Sequence, residues 1–112
     1  MMADINNAKD YFATLGERFD AEAASGLSAS FQFELSGDNG GTYCVEVSDG
    51  SMEVIEGGKE SPTFTLKMDG DEYIKMAHGK LNGAMAFMTG KMKISGDRGL
   101  AQTMKKIFPL IK

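Results

Sequence analysis

The stretch Gly79-Lys80-Leu81-Asn82-Gly83-Ala84-Met85-Ala86-Phe87-Met88-Thr89-Gly90-Lys91-Met92-Lys93-Ile94-Ser95-Gly96-Asp97-Arg98-Gly99-Leu100-Ala101-Gln102-Thr103-Met104 decides how this chain is read. Asn82 stands at the cap position of a short helix that runs through Met88 and stops at Gly90. Lys91 to Ser95 alternates, with Met92 and Ile94 on one face and Lys91 and Lys93 on the other, which predicts a strand. Asp97 is placed to cap a last helix carrying Leu100, Met104, Ile107 and Phe108, and Pro109 ends it. The stretch holds almost no catalytic chemistry. It combines apolar, flexible side chains with punctuating glycines and a basic fringe, as suits a surface that holds a greasy molecule without transforming it. Met68, Met76, Met85, Met88, Met92 and Met104 cluster in and just before it. Methionine adapts to many shapes, whereas a core built to specify one packing favours Leu and Ile.

Upstream, Asp4 is a candidate cap for a first helix whose apolar stripe is Ile5, Phe12, Leu15 and Phe19. The stripe fades by Ala23-Ala24, and Gly26 ends it. Ala29, Phe31, Phe33 and Leu35 then alternate with Ser30, Gln32, Glu34 and Ser36, predicting a strand with one wet face. Asp38-Asn39-Gly40-Gly41 is a turn cluster. A second strand puts Tyr43, Val45 and Val47 opposite Cys44 and Glu46. Asp49-Gly50 predicts a type I′ hairpin into a third strand with Met52 and Val54, broken by Gly57-Gly58. Thr63 to Met68 is a fourth strand with Phe64, Leu66 and Met68 on one face. Asp69-Gly70-Asp71-Glu72 reads as a capping box for a short helix with Tyr73, Ile74, Met76 and Ala77, stopped by Gly79. Each strand has one apolar face and the first three are joined by short turns. The reading is an α+β domain of two layers over residues 1–112, with helices on one side of the sheet.

Composition narrows the function classes. At 112 residues the chain is of ordinary single-domain length, and its 42% hydrophobic and 25% charged residues fit a soluble globular protein. No apolar run is long enough to span a bilayer, and Met1 to Asn6 lacks the pattern of a secretory signal, so a cytoplasmic location is expected. The sole cysteine permits no intrachain disulfide. His78 is the only histidine, so no zinc constellation is expected, and no nucleophile–base pair beyond Cys44 with His78. Cys44 reads as a small strand residue on the wetter face, and His78 as a side chain suited to a helix C-terminus. Glycine-rich phosphate motifs are missing, so no cofactor is expected. Residues 1–78 hold 5 Lys/Arg and 15 Asp/Glu, while residues 79–112 hold 7 Lys/Arg against Asp97 alone. That asymmetry fits an anionic partner as well as it fits a solvated surface with clustered charge. The sequence pI near 4.9, with aromatics poorly interleaved among the basic residues, argues against nucleic acid.

At Gly79-Lys80-Leu81-Asn82, Ala86-Phe87, Gly90-Lys91-Met92-Lys93-Ile94-Ser95-Gly96 and Gly99-Leu100-Ala101 the chain resembles the sterol carrier protein 2 (SCP2), or non-specific lipid-transfer, family. The upstream order of elements agrees, so the resemblance covers nearly the whole chain. Gly83 stands where the family commonly has proline and Tyr43 where it often has tryptophan, and Pro109-Leu110-Ile111-Lys112 is not the peroxisomal tail. These departures favour a stand-alone, prokaryotic-type member. The resemblance implies a five-stranded mixed sheet of order 3-2-1-4-5, covered on one face by helices around an apolar tunnel. It implies non-enzymatic, reversible binding of fatty acids, fatty acyl-CoA, phospholipids or sterols. Carried over by position and facing parity, the lining is Phe31, Phe33, Leu35, Phe64, Leu66, Met68, Ile74, Met85, Phe87, Met88, Met92, Ile94, Leu100, Met104, Ile107 and Phe108. Lys80, Lys91, Lys93, Arg98, Lys105 and Lys106 are the set for an anionic headgroup or membrane surface. The alternative is an accessory subunit that holds a hydrophobic intermediate for a partner enzyme, as in isoprenoid-quinone assembly. An autonomous hydrolase or thioesterase would rest on Cys44.

Overall fold

Alternation in the sequence becomes pairing in the structure, a computed structural model that describes residues 5–111. Strands β1 (Ser28–Ser36), β2 (Gly41–Ser48), β3 (Ser51–Glu56), β4 (Phe64–Asp69) and β5 (Met92–Gly96) form one five-stranded sheet of order β3-β2-β1-β4-β5. β1 pairs antiparallel with β2 and parallel with β4, and β5 closes the other edge antiparallel to β4. The β2–β3 turn is the expected one. Asp49 (φ 43°) and Gly50 (φ 84°) both take the positive φ that a type I′ hairpin requires. In register, Phe31 and Phe33 sit between Val45 and Tyr43 on one side and Phe64 and Leu66 on the other. All six are buried, and they form the sheet's apolar face.

Helices α1 (Ala8–Ala13), α2 (Leu15–Arg18), α3 (Gly70–Ala77), α4 (Gly83–Met88) and α5 (Leu100–Ile107) supply the second layer. Phe12 stacks on Tyr43 with ring centroids 4.4 Å apart, and Phe108 meets Phe31 edge-on at 5.6 Å, so both ends of the chain seal the same face. Two backbone bonds tie the C-terminal segment down: Asp20 N–H donates to Ile107 carbonyl at 2.9 Å, and Ile111 N–H to Ala77 carbonyl at 2.8 Å. At the turn end of the sheet two glycines touch. A Cβ on Gly70 would lie 2.7 Å from Gly40 Cα, so neither the β1–β2 turn nor the start of α3 tolerates a side chain there.

The structure corrects several expectations. The single long first helix is two short ones. The Thr14 hydroxyl donates to Asp10 carbonyl at 2.9 Å and the backbone leaves the helix at φ −109°, ψ 2°. A hydroxyl that offers the turn a local partner competes with helix continuation. The observed cap of α1 is Asn7, whose side-chain oxygen accepts from Asp10 N–H at 2.8 Å; the expected cap, Asp4, lies outside the described residues. Half of the capping box forms. Asp69 accepts from Glu72 N–H at 3.1 Å, but the Glu72 carboxylate is held instead by Lys91 at 3.0 Å and Lys75 at 3.4 Å. Asp97 stands two residues before the cap position of the last helix, which Gly99 occupies. Its carboxylate accepts from Gly99 N–H at 3.1 Å, and Gly99 is the residue that opens α5.

The second face of the sheet is drier than the alternation implied. Ser30, Gln32 and Cys44 are all buried. The reason is the parallel β1–β4 pair, which forces the chain leaving β3 at the edge to cross back over β2 and β1. That crossover lays Lys59 N–H on the Gln32 side-chain oxygen at 2.9 Å, and Thr63 N–H on the Ser30 hydroxyl at 2.9 Å. The polar side chains are thus satisfied by backbone instead of water.

Candidate functional site

The elements that close the helical layer at the β5 edge leave a gap between them. It is a cavity of about 680 Å³, within the range of about 300–1,000 Å³ typical of small-ligand sites. β5 contributes Met92 and Ile94, side chains that parity points to the helical face. α3 contributes Tyr73, Met76 and Ala77, the loop into α4 contributes Leu81 and Asn82, and the first turn of α4 contributes Gly83 and Ala84. Phe87 comes from α4, and Arg98, Ala101, Gln102, Met104 and Lys105 from α5 and the turn before it. Phe108, Pro109 and Leu110 form a third wall, and Tyr11 reaches in from α1. The lining grades from buried to exposed. Tyr11, Tyr73, Ala77, Met92 and Phe108 are buried at the inner end, whereas Phe87 (42% exposed) and Leu110 (55% exposed) stand at the outer end. Arg98 and Lys105 are also exposed, so the cations sit at the open side beside Phe87 and Leu110, and the buried end holds no charged side chain of the lining.

Caps and stops position these walls. Asn82 accepts from Met85 N–H at 3.1 Å and starts α4, as its place in the sequence predicted. Gly79 (φ 79°) ends α3 in the left-handed conformation that lets the chain turn under the cavity. His78 closes α3, and its Nε2 donates to Ile5 carbonyl at 2.8 Å, pinning the N-terminal segment to the helix end.

Two polar groups lie at the inner end. Tyr73 Oη donates to Tyr11 Oη at 3.0 Å, with the rings edge-to-face at 5.2 Å between centroids. Burial raises both phenols. For Tyr11 it outweighs the opposing bond from Tyr73 and the nearby Arg18 charge, and for Tyr73, next to Tyr11, the rise is large. Both are therefore neutral hydroxyls at physiological pH. Arg18 lies over the Tyr11 ring, 4.9 Å from its centroid, and spends Nη2 on Tyr11 carbonyl at 3.1 Å and Nη1 on the Thr14 hydroxyl at 2.9 Å.

Of the sixteen apolar residues named from the sequence, Phe87, Met92, Ile94, Met104 and Phe108 line this cavity. Phe31, Phe33, Leu35, Phe64, Leu66, Met68, Ile74 and Ile107 are buried in the core beside it, and Leu100 packs half-buried against that core. Met85 (55% exposed) and Met88 (79% exposed) face away from the cavity, on the outer side of α4. Of the six cations, Arg98 and Lys105 line the cavity. Lys91 is committed to Glu72. Lys93 pairs in register with Lys67 on the far face, around a separate depression that also includes Glu34 and Asp69. Lys80 and Lys106 are exposed and outside the lining. The sequence reading missed Tyr11, Tyr73, Leu81, Ala101 and Leu110. Only tertiary packing reveals them; for Leu110 it is the chain's return past α3, where Ile111 pairs with Ala77.

Cys44 and His78 do not meet. Phe12 stacks on Tyr43, so the adjacent Cys44 points to the other side of the sheet, under the crossover, with its thiol pushed up by burial. His78 lies in the helical layer. Among the described residues no three His, Cys, Asp or Glu side chains come together as a metal site, and no helix is long and apolar enough to cross a membrane.

The same fold occurs in known proteins. The protein is 33% identical over 105 residues to hydroxysteroid dehydrogenase-like protein 2 of Xenopus tropicalis; the match covers 93% of this chain and 25% of that protein. The chain thus spans about a quarter of the length of that curated relative. The solution structure of the sterol carrier protein domain 2 of Helicoverpa armigera superposes with a TM-score of 0.69 at 25% identity, covering 93% of this chain and 91% of that one. The UbiJ-SCP2 ubiquinone synthesis protein superposes with a TM-score of 0.65 at 13% identity, over 89% of this chain and 90% of that one, a likeness of fold. The model of the SCP-2 sterol transfer family matches residues 12–109, which takes in all five strands and the whole cavity lining except Tyr11 and Leu110, and the chain belongs to that family.

Proposed function

We propose that this protein binds one amphiphilic lipid (a fatty acid, fatty acyl-CoA, phospholipid or sterol-like molecule) in the cavity bounded by α3, α4, β5 and α5, and carries it without chemical change. The observation that carries this reading is the grading of the lining, apolar and buried inside, cationic and exposed outside. An acyl chain laid along Met92, Ile94, Met104 and Phe108 gains about 0.8 kcal/mol per methylene buried. About ten methylenes then offset the cost of association. Arg98 and Lys105 face the headgroup. Met85 and Met88, exposed on α4 beside the open side, contact an anionic membrane surface during loading and release in the cytoplasm. No residue is assigned a catalytic role, because Cys44 and His78 occupy opposite layers.

The test is displacement of a fluorescent fatty acid. Ala101, half-buried in the α5 wall, is the position where added volume fills the cavity. Ala101→Trp weakens fatty-acid binding about tenfold or more, with the far-ultraviolet circular dichroism of a folded protein retained. Unchanged affinity in that variant contradicts the site.

A second reading is favoured by one observation. Met88 and Met85 expose an apolar face on α4 that a protein partner covers as readily as a membrane does. In that reading the protein holds a hydrophobic intermediate for a partner enzyme, a role in keeping with the UbiJ-SCP2 likeness. Stoichiometric co-purification of one enzyme with the protein, lost on Met88→Asp, favours it over free transfer.

A further inference from the structure

The inner end of the cavity holds one hydroxyl proton for which no acceptor is found among the described residues. Tyr11 (2% exposed) and Tyr73 (3% exposed) both line it, and the two hydroxyls carry two protons. Their mutual bond, Tyr73 Oη to Tyr11 Oη at 3.0 Å, uses one of them. Among the described residues no hydrogen bond takes up the second, the proton on Tyr11. Of the polar side chains around it, Arg18 beside Tyr11 carries only donors, Arg98, Gln102 and Lys105 are exposed at the open side, and the Asn82 oxygen accepts from Met85 N–H. A buried hydroxyl proton with no acceptor is destabilising. The same site built with two phenylalanines would keep the edge-to-face ring contact and avoid that cost. The pair also polarises in one direction, since a hydroxyl that accepts a bond becomes a better donor.

Resting on the lipid-binding reading above, we infer that the Tyr11–Tyr73 pair is a recognition element for an uncharged oxygen acceptor, the carbonyl of a ketone, ester or quinone-like ring, carried on the buried part of the lipid. The ligand then has two polar points, one at Arg98 and Lys105 and one carbonyl within the apolar segment. Neutrality of the site follows from burial, which keeps both phenols protonated. A charged carboxylate is the wrong partner at this depth: Arg18 lies outside the lining with both Nη groups spent on the Thr14 hydroxyl and Tyr11 carbonyl, and desolvating a carboxylate costs far more than one neutral donor returns. A plain alkyl chain fits but leaves the proton unpaired.

Oxostearic acids test this directly. Isomers that differ only in the position of the ketone share the same desolvation cost, so a position-dependent affinity reports a placed donor. Each isomer and stearic acid are titrated against a bound fluorescent fatty acid, in the wild type and in Tyr11→Phe/Tyr73→Phe. The double variant is needed because Tyr11→Phe alone frees the Tyr73 proton to take over. One isomer should bind about three- to tenfold tighter than its neighbours in the wild type, with a flat profile in the double variant. A flat profile in the wild type, or a peak that survives in the double variant, overturns the inference while stearic acid binding leaves the carrier reading standing. Failure of every acid to displace the probe overturns both. Infrared spectroscopy of the best isomer with a labelled carbonyl gives a second readout on the unmutated protein: its stretch should move to lower frequency than in hexane, and a hexane-like band contradicts the bond.

Discussion

Tyr73 is the side chain in which core and site meet. Its ring packs edge-on to Phe33 and Tyr11, its hydroxyl bonds Tyr11, and the cavity opens beside it. All three tyrosines of the chain, Tyr11, Tyr43 and Tyr73, are raised by burial. A group whose folded pKa is raised contributes stability in full below its unfolded value, here about 10, and loses it as pH rises, because the unfolded chain releases the proton first. Tyrosinate absorbance in an alkaline titration should therefore rise together with loss of near-ultraviolet circular dichroism. Tyr11→Phe/Tyr73→Phe should lose less stability than wild type between about pH 9 and 11. Tyrosinate formed at all three positions in a protein that is still folded would contradict the burial. Glu72 has the opposite sign: the hydrogen bond from Lys91 lowers its carboxyl, so its contribution is present above the ordinary carboxylate range and fades as pH falls through the lowered value. What was legible at this scale was facing parity. Met92 and Ile94 were placed on the cavity side because period-2 alternation fixes the face. Parity does not tell an empty space from a filled one. Phe31, Phe33, Phe64 and Leu66 share that face, and the rings of Phe12 and Phe108 fill the space above the first two.

Elements were read with more success where a capping side chain and a left-handed glycine bracketed them. α4 runs from the Asn82 cap to Gly90 (φ 81°), and α3 from the Asp69 cap to Gly79 (φ 79°), as their sequences indicated. The first helix was misjudged because an unbroken apolar stripe hides a local interruption. Tyr11, Phe12 and Leu15 are all buried although the helix breaks at Thr14 between them. The crossover from β3 to β4 was invisible for a related reason, since a loop's covering role depends on which strands it spans. α4 is the element whose prediction is most specific. Met88 is 79% exposed and outside the cavity lining, so its side chain has no evident role in holding a ligand. In the carrier reading Met88→Ser slows fatty-acid transfer to vesicles several-fold, because apolar area available to the membrane is lost. A transfer rate equal to wild type contradicts the assignment of α4 as the contacting element.

Over the whole molecule, charge and fold divide the chain at the same place. Residues 1–78 carry 15 acidic against 5 basic side chains, and residues 79–112 carry 7 basic against one acidic. The second segment supplies α4, β5, α5 and most of the cavity. In the carrier reading the cations at the opening, Arg98 and Lys105, face an anionic membrane while the acidic first segment turns away from it. Transfer between anionic vesicles should slow as salt rises, each cation near the surface being worth about 1 kcal/mol at low ionic strength. A rate independent of salt contradicts that orientation. That the cavity holds a lipid is tested most directly by native mass spectrometry of the gently purified protein, followed by solvent extraction and identification of what was bound. An adduct of one lipid per chain is expected, lost in Ala101→Trp. A bare mass, with no rise in melting temperature on adding fatty acids or acyl-CoA, would contradict it.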